Sequence, residues 1–68
     1  MKNKVIAFEK LTDNKDDPFY PPKGFLFKKE MLGGKIYFTS SWDRKYSGFL
    51  GKANFFLKYP DMYKPIYE

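Results

Sequence analysis

Gly33-Gly34 sits in the middle of KGFLFKKEMLGGKIYFTSSW (residues 23–42), and it constrains this chain more than any other feature. Two adjacent glycines between β-prone runs predict a two-residue hairpin turn, because both positions then take positive φ without a Cβ penalty. Such a turn fixes the register. Leu32 faces Lys35, Met31 faces Ile36, Glu30 faces Tyr37, Lys29 faces Phe38, Lys28 faces Thr39 and Phe27 faces Ser40.

Side chains alternate across a strand, so the register divides the hairpin into two faces. One carries Phe25, Phe27, Lys29, Met31, Ile36, Phe38 and Trp42, and is assigned to the core. The other carries Leu26, Lys28, Glu30, Lys35, Tyr37 and Thr39, and is assigned to solvent. The opposite assignment, with Phe25, Phe27 and Phe38 outward as base-stacking rings, would turn Lys28, Glu30 and Lys35 inward. Burying three unpaired charges costs several kcal/mol each, which disfavours it.

The rest of the chain is read around this hairpin. KVIAFEKL (4–11) predicts a first strand, with Ile6 and Phe8 on one face and Val5 and Ala7 on the other. Residues 12–23, TDNKDDPFYPPK, predict a Pro-rich loop whose Phe19 or Tyr20 covers an open end of the sheet; a cis Tyr20-Pro21 bond is compatible with it. DRKYSG (43–48) predicts a turn. FLGKANFFLKY (49–59) reads as a strand, with a short helix as the alternative. As a strand it puts Ala53, Phe55, Leu57 and Tyr59 on one face and Lys52, Asn54, Phe56 and Lys58 on the other. The segment 60–68 is too apolar for a free tail and is expected to pack on the sheet. The sum is one small domain over residues 1–68. It is all-β or β-rich, a small antiparallel sheet or partly closed barrel of about four strands.

Composition narrows the function. The chain has 68 residues, no cysteine and no histidine. No disulfide, thiol nucleophile or cysteine-based zinc site is possible, and the usual general base near pH 7 is missing. A serine nucleophile at Ser40, Ser41 or Ser47 would need a lysine base that nothing places. Asp13, Asp16 and Asp17 do not have the spacing of a calcium loop, and Lys15 lies among them. The glycines form no phosphate-binding pattern. The expectation is therefore a protein with no enzymatic activity, cofactor or metal. PFYPPK (18–23) matches Pro-x-x-Pro-x-basic, a pattern short enough to arise by chance.

Fifteen residues are Phe, Tyr or Trp. A domain of this size buries about 60% of its unfolded surface, so some rings should stay exposed, and exposed rings favour interfaces. Thirteen Lys and Arg against eight Asp and Glu give a net charge of +5, with Arg44 the only arginine. The partner-binding residues expected from this pattern are Tyr37, Phe56, Arg44, Tyr46, Lys28, Lys35, Lys52 and Lys58. They fit a small protein-interaction module that binds and occludes a larger acidic protein, in the manner of an inhibitor encoded by a virus or mobile element. The alternative is a nonspecific nucleic-acid binder, with lysines on phosphates and exposed rings stacking on bases. An unpaired strand edge also offers a route to a homodimer. No apolar run is long enough for a membrane span or a signal peptide, so the expected location is cytoplasmic, in a host cell if the chain is viral.

Overall fold

The computed structural model describes residues 4–13 and 20–68. Five strands form one antiparallel sheet: β1 (Val5–Lys10), β2 (Leu26–Leu32), β3 (Lys35–Thr39), β4 (Leu50–Gly51) and β5 (Tyr63–Tyr67), in the spatial order β4-β3-β2-β1-β5. A single helical turn, α1 (Ala53–Leu57), lies between β4 and β5, and a 3-10 turn spans Arg44–Tyr46. The sheet is open, with β4 and β5 at its two edges, so of the two expected forms it is the antiparallel sheet and not the partly closed barrel.

The hairpin has the register that its turn dictates, from Leu32 opposite Lys35 to Lys28 opposite Thr39. Gly33 and Gly34 have φ of 57° and 80°, the left-handed pair that a primed turn requires. Phe27 and Phe38 are buried on the face assigned to the core, together with Phe8, Phe25, Phe56 and Tyr63.

Two local expectations are corrected and a third is made specific. In β1, the register against β5 slips between Val5 and Ala7. The extra residue, Ile6, turns outward, and Val5 swings to the same side as Phe8. Sequence alternation had placed Ile6, not Val5, with Phe8. In the segment 49–59, only Leu50–Gly51 is strand, and Ala53–Leu57 is helical. The strand pairing is held by Gly51 opposite Phe38. A Cβ on Gly51 would lie 3.3 Å from the Phe56 ring, so the glycine leaves the space that this ring fills. Coiling the chain after Lys52 brings Ala53 and Phe56, three residues apart, to the same inner side. Third, the segment 60–68 joins the sheet through residues 63–67, which form the edge strand β5, paired to β1.

Trp42 is also not on the core face. β3 ends at Thr39, and the indole fills the position beyond it along β2, where its Nε1 donates to the Leu26 carbonyl at 2.9 Å. Phe25 stacks against it at 5.0 Å, and the Lys28 ammonium lies 4.3 Å from the ring centroid. The serines serve the same corner. The buried Ser40 hydroxyl donates to the Tyr46 carbonyl, and the Ser41 hydroxyl donates to the Glu30 carboxylate at 3.2 Å. Tyr20-Pro21 is trans. Asp16, Asp17 and the first two residues of the PFYPPK pattern, Pro18 and Phe19, lie outside the described residues. Asp13 accepts a hydrogen bond from the Lys23 amide at 3.1 Å, which holds the two ends of the loop together.

Candidate interaction surface

The eight expected binding residues divide into four locations. Tyr37, Lys28 and Lys35 share the outer face of the β2–β3 hairpin, where alternation puts them, and the Lys52 ammonium reaches to 5.9 Å from the Tyr37 ring centroid. These four form one cluster. Arg44 and Tyr46 belong to the 3-10 turn near Phe25, at the end of β2 away from Gly33-Gly34. The Tyr46 ring leans edge-on against Phe25 at 5.2 Å and is half-buried. Lys58 follows α1 on the core side of the sheet and is exposed.

Phe56 is at the centre of the core and wholly buried. It stacks on Phe8 at 4.7 Å and meets Tyr63 edge-on at 4.9 Å. The expectation of an exposed ring between Lys52 and Lys58 assumed a strand. In a helical turn those lysines no longer share a face with Phe56, and it cannot contact a partner.

The structure exposes a different surface. Helix α1 is five residues long and covers only part of the inner sheet face. The half of the hairpin nearest Gly33-Gly34 projects beyond it, leaving Met31 65% and Ile36 46% exposed on the face meant for the core. Between this projection and α1 lies a groove of about 340 Å³, lined by Lys4, Val5, Lys29, Ile36, Phe38 and Ala53. Four of the six lining residues are apolar, and the other two are lysines. Leu32, at the turn, adds a further exposed aliphatic side chain. Apolar surface rimmed by charge is the usual mark of an interaction site. The sequence places Met31 and Ile36 on this face beside the turn, but no residue marks that α1 stops short of them.

A second depression of similar volume lies between Tyr20-Pro21 and the turn from Lys45 to Phe49. The buried polar groups have structural partners. Lys10 projects into the core side, where its Nζ donates to the Thr12 carbonyl at 2.8 Å, and burial lowers its pKa while Asp13 partly restores it. Burial is also the main cause of a strong upward shift at the Tyr63 hydroxyl, with Tyr20 and Tyr59 adding to it. Among the described residues, no group of three acidic, histidine or cysteine side chains is placed to hold a metal. No helix among them is long and apolar enough to cross a membrane.

Comparison with protein-family models, with curated proteins and with solved structures found no match for this chain.

Proposed function

We propose that the chain is a small protein-interaction module that engages an acidic partner protein through the groove between the hairpin tip and α1, and acts by covering that partner's surface. The carrying observation is the groove itself: apolar residues from β1, β3 and α1, with Lys4 and Lys29 as its charged lining among the described residues. An apolar side chain entering it gains burial, and neighbouring carboxylates gain two lysines. The net charge of +5 steers association in the same sense.

The nucleic-acid alternative draws its support from the lysine excess. It loses support at three of the rings it would stack on, although Phe55, Tyr59 and Tyr67 are exposed. Phe56 is inside the core, and the rings of Trp42 and Tyr37 each have a lysine ammonium over them. Base stacking requires an open ring face.

The test is quantitative capture from cell extract with three immobilised proteins: wild type, Ile36→Glu and Arg44→Ala. Acidic proteins retained by wild type and by Arg44→Ala, and lost from Ile36→Glu, are the expected result. A captured set indifferent to Ile36→Glu would overturn the reading. Salt-sensitive binding of single-stranded DNA or RNA that survives Ile36→Glu would transfer the function to nucleic acid.

A further inference from the structure

We infer that the partner enters as an extended acidic segment, which pairs with β3 at Ile36, beyond the end of β4, and sets an apolar side chain against the groove. This rests on the groove being the binding surface and specifies how it is used.

The two edges of the sheet are not equivalent. At the β5 edge, the Leu11 amide donates to the Met62 carbonyl at 2.7 Å, so alternation along the β1–β5 ladder turns the backbone polar groups of Tyr63 and Pro65 outward. Pro65 has no amide to offer, and the Tyr63 amide is already donated to the Tyr59 carbonyl at 3.1 Å. A strand arriving here finds neither of these donors, and only the Tyr67 amide, at the end of β5, faces it.

The other edge is different. Ser40 donates its amide to the Phe49 carbonyl on the β4 side at 3.2 Å. Alternation then turns the amide and carbonyl of Phe38 and of Ile36 the same way. Gly51 stands opposite Phe38, but the chain coils into α1 at Ala53 and leaves no strand opposite Ile36 among the described residues. Ile36 therefore presents a main-chain donor and acceptor directly beside the groove that its own side chain lines. Main-chain bonds for affinity and a pocket for an alternate side chain are the two parts of recognition by strand addition.

The same geometry specifies the occupant. A residue paired with Ile36 projects to the core side, beside the Ile36 side chain that lines the groove, and its neighbour opposite Lys35 projects to the outer side; the position opposite Tyr37 is held by Lys52, which follows Gly51 in extended conformation. That outer side carries Lys35, and Lys52 over Tyr37. The pattern that fits is an apolar residue opposite Ile36 followed by an acidic one opposite Lys35. A second copy of this chain does not fit, because edge-to-edge pairing at Ile36 would bring Lys35 and Lys52 of two +5 chains together.

The test uses the full chain and a fluorescein-labelled short peptide of alternating Glu and Ile, read by anisotropy at low and physiological salt. Three other probes are compared: the same peptide N-methylated on its Ile residues, N-methylated on its Glu residues, and with Lys for every Glu. The parent peptide should bind, and Ile36→Glu should abolish the binding. N-methylation on Ile removes the donor to the Ile36 carbonyl and should weaken binding roughly tenfold or more. N-methylation on Glu falls on the outward edge and should be tolerated, and the Lys peptide should not bind. Equal binding of both N-methylated forms would overturn strand addition while leaving the groove reading intact. Binding of an acidic helical peptide in preference to the extended one would do the same. Failure of every acidic peptide would overturn both.

Discussion

Phe8 and Phe56 lie face to face, with centroids 4.7 Å apart and planes 12° from parallel. This pair joins the second strand from one edge of the sheet to the one helical turn that covers it, and both rings are wholly buried. Phe38 closes the stack edge-on against Phe8 at 4.9 Å. Truncating Phe56 removes a ring with aromatic partners on several sides, so Phe56→Ala should cost about 3 to 5 kcal/mol. For a domain this small, that is a large part of its stability. Phe38→Ala should be similarly damaging, and Tyr37→Ala mild. Urea denaturation of the three variants checks this. A stable Phe38→Ala beside an unfolded Tyr37→Ala would mean that the two sheet faces are reversed.

Alkaline pH should unfold the protein through Tyr63. Burial raises its hydroxyl pKa far above the ordinary tyrosine value of about 10. The folded state therefore holds a proton that the unfolded state releases, and stability falls as pH climbs above the unfolded pKa. Lys10 acts in the opposite sense: its folded pKa is depressed, so stability gains as pH rises from that value toward its unfolded one. Tyr63 should dominate above pH ~10. Absorbance titration should show one of the six tyrosines ionising only with unfolding. Tyr63→Phe should flatten the decline of melting temperature over the same range.

The hairpin was legible in the sequence because its determinant is local. Two glycines set the turn, the turn sets the register, and the register sets both faces. Where tertiary packing decides, the sequence was silent or misleading. Residues 53–57 have no side-chain cap at Lys52 and too few residues for a helical period; they coil because Phe56 is needed beneath Gly51. Alternation then assigned Phe56 to the wrong environment, and the binding set lost a member with it. The bulge at Ile6 leaves no mark that a reader could weigh against simple alternation. Pro65 is compatible with a strand at 63–67 because it lies at an edge, with its missing amide turned outward. Met31 and Ile36 were placed on the correct face. That α1 stops short of them is a matter of length and docking angle, which no residue announces.

The turn itself should resist substitution. Gly34 has φ of 80° with open space around its missing Cβ, so a side chain there meets strain and no clash. Gly34→Ala should therefore cost about 1 kcal/mol through backbone conformation alone. Gly34→Asn should recover part of this, because asparagine tolerates the left-handed region better. Melting curves of the two variants separate the effects. Equal losses would indicate packing rather than φ as the determinant.

The last prediction concerns the edge that the fold protects. Pro65 lies within β5, and its nitrogen faces away from β1. Pro65→Val puts a strand-favouring apolar side chain at the position and restores an outward amide. The outer edge then offers a donor that it lacks in wild type, flanked by the exposed Tyr67. Edges of that kind recruit further strands. At low salt, the repulsion between +5 chains opposes association, and screening weakens that opposition as salt rises. Sedimentation velocity at matched concentrations should therefore show Pro65→Val self-associating more than wild type, with the difference growing with salt. Ile36→Pro, which removes the amide at the β3 edge, should leave that behaviour unchanged in the double variant. If the Pro65→Val protein sediments as wild type at every salt concentration, the missing amide is not what keeps this edge free.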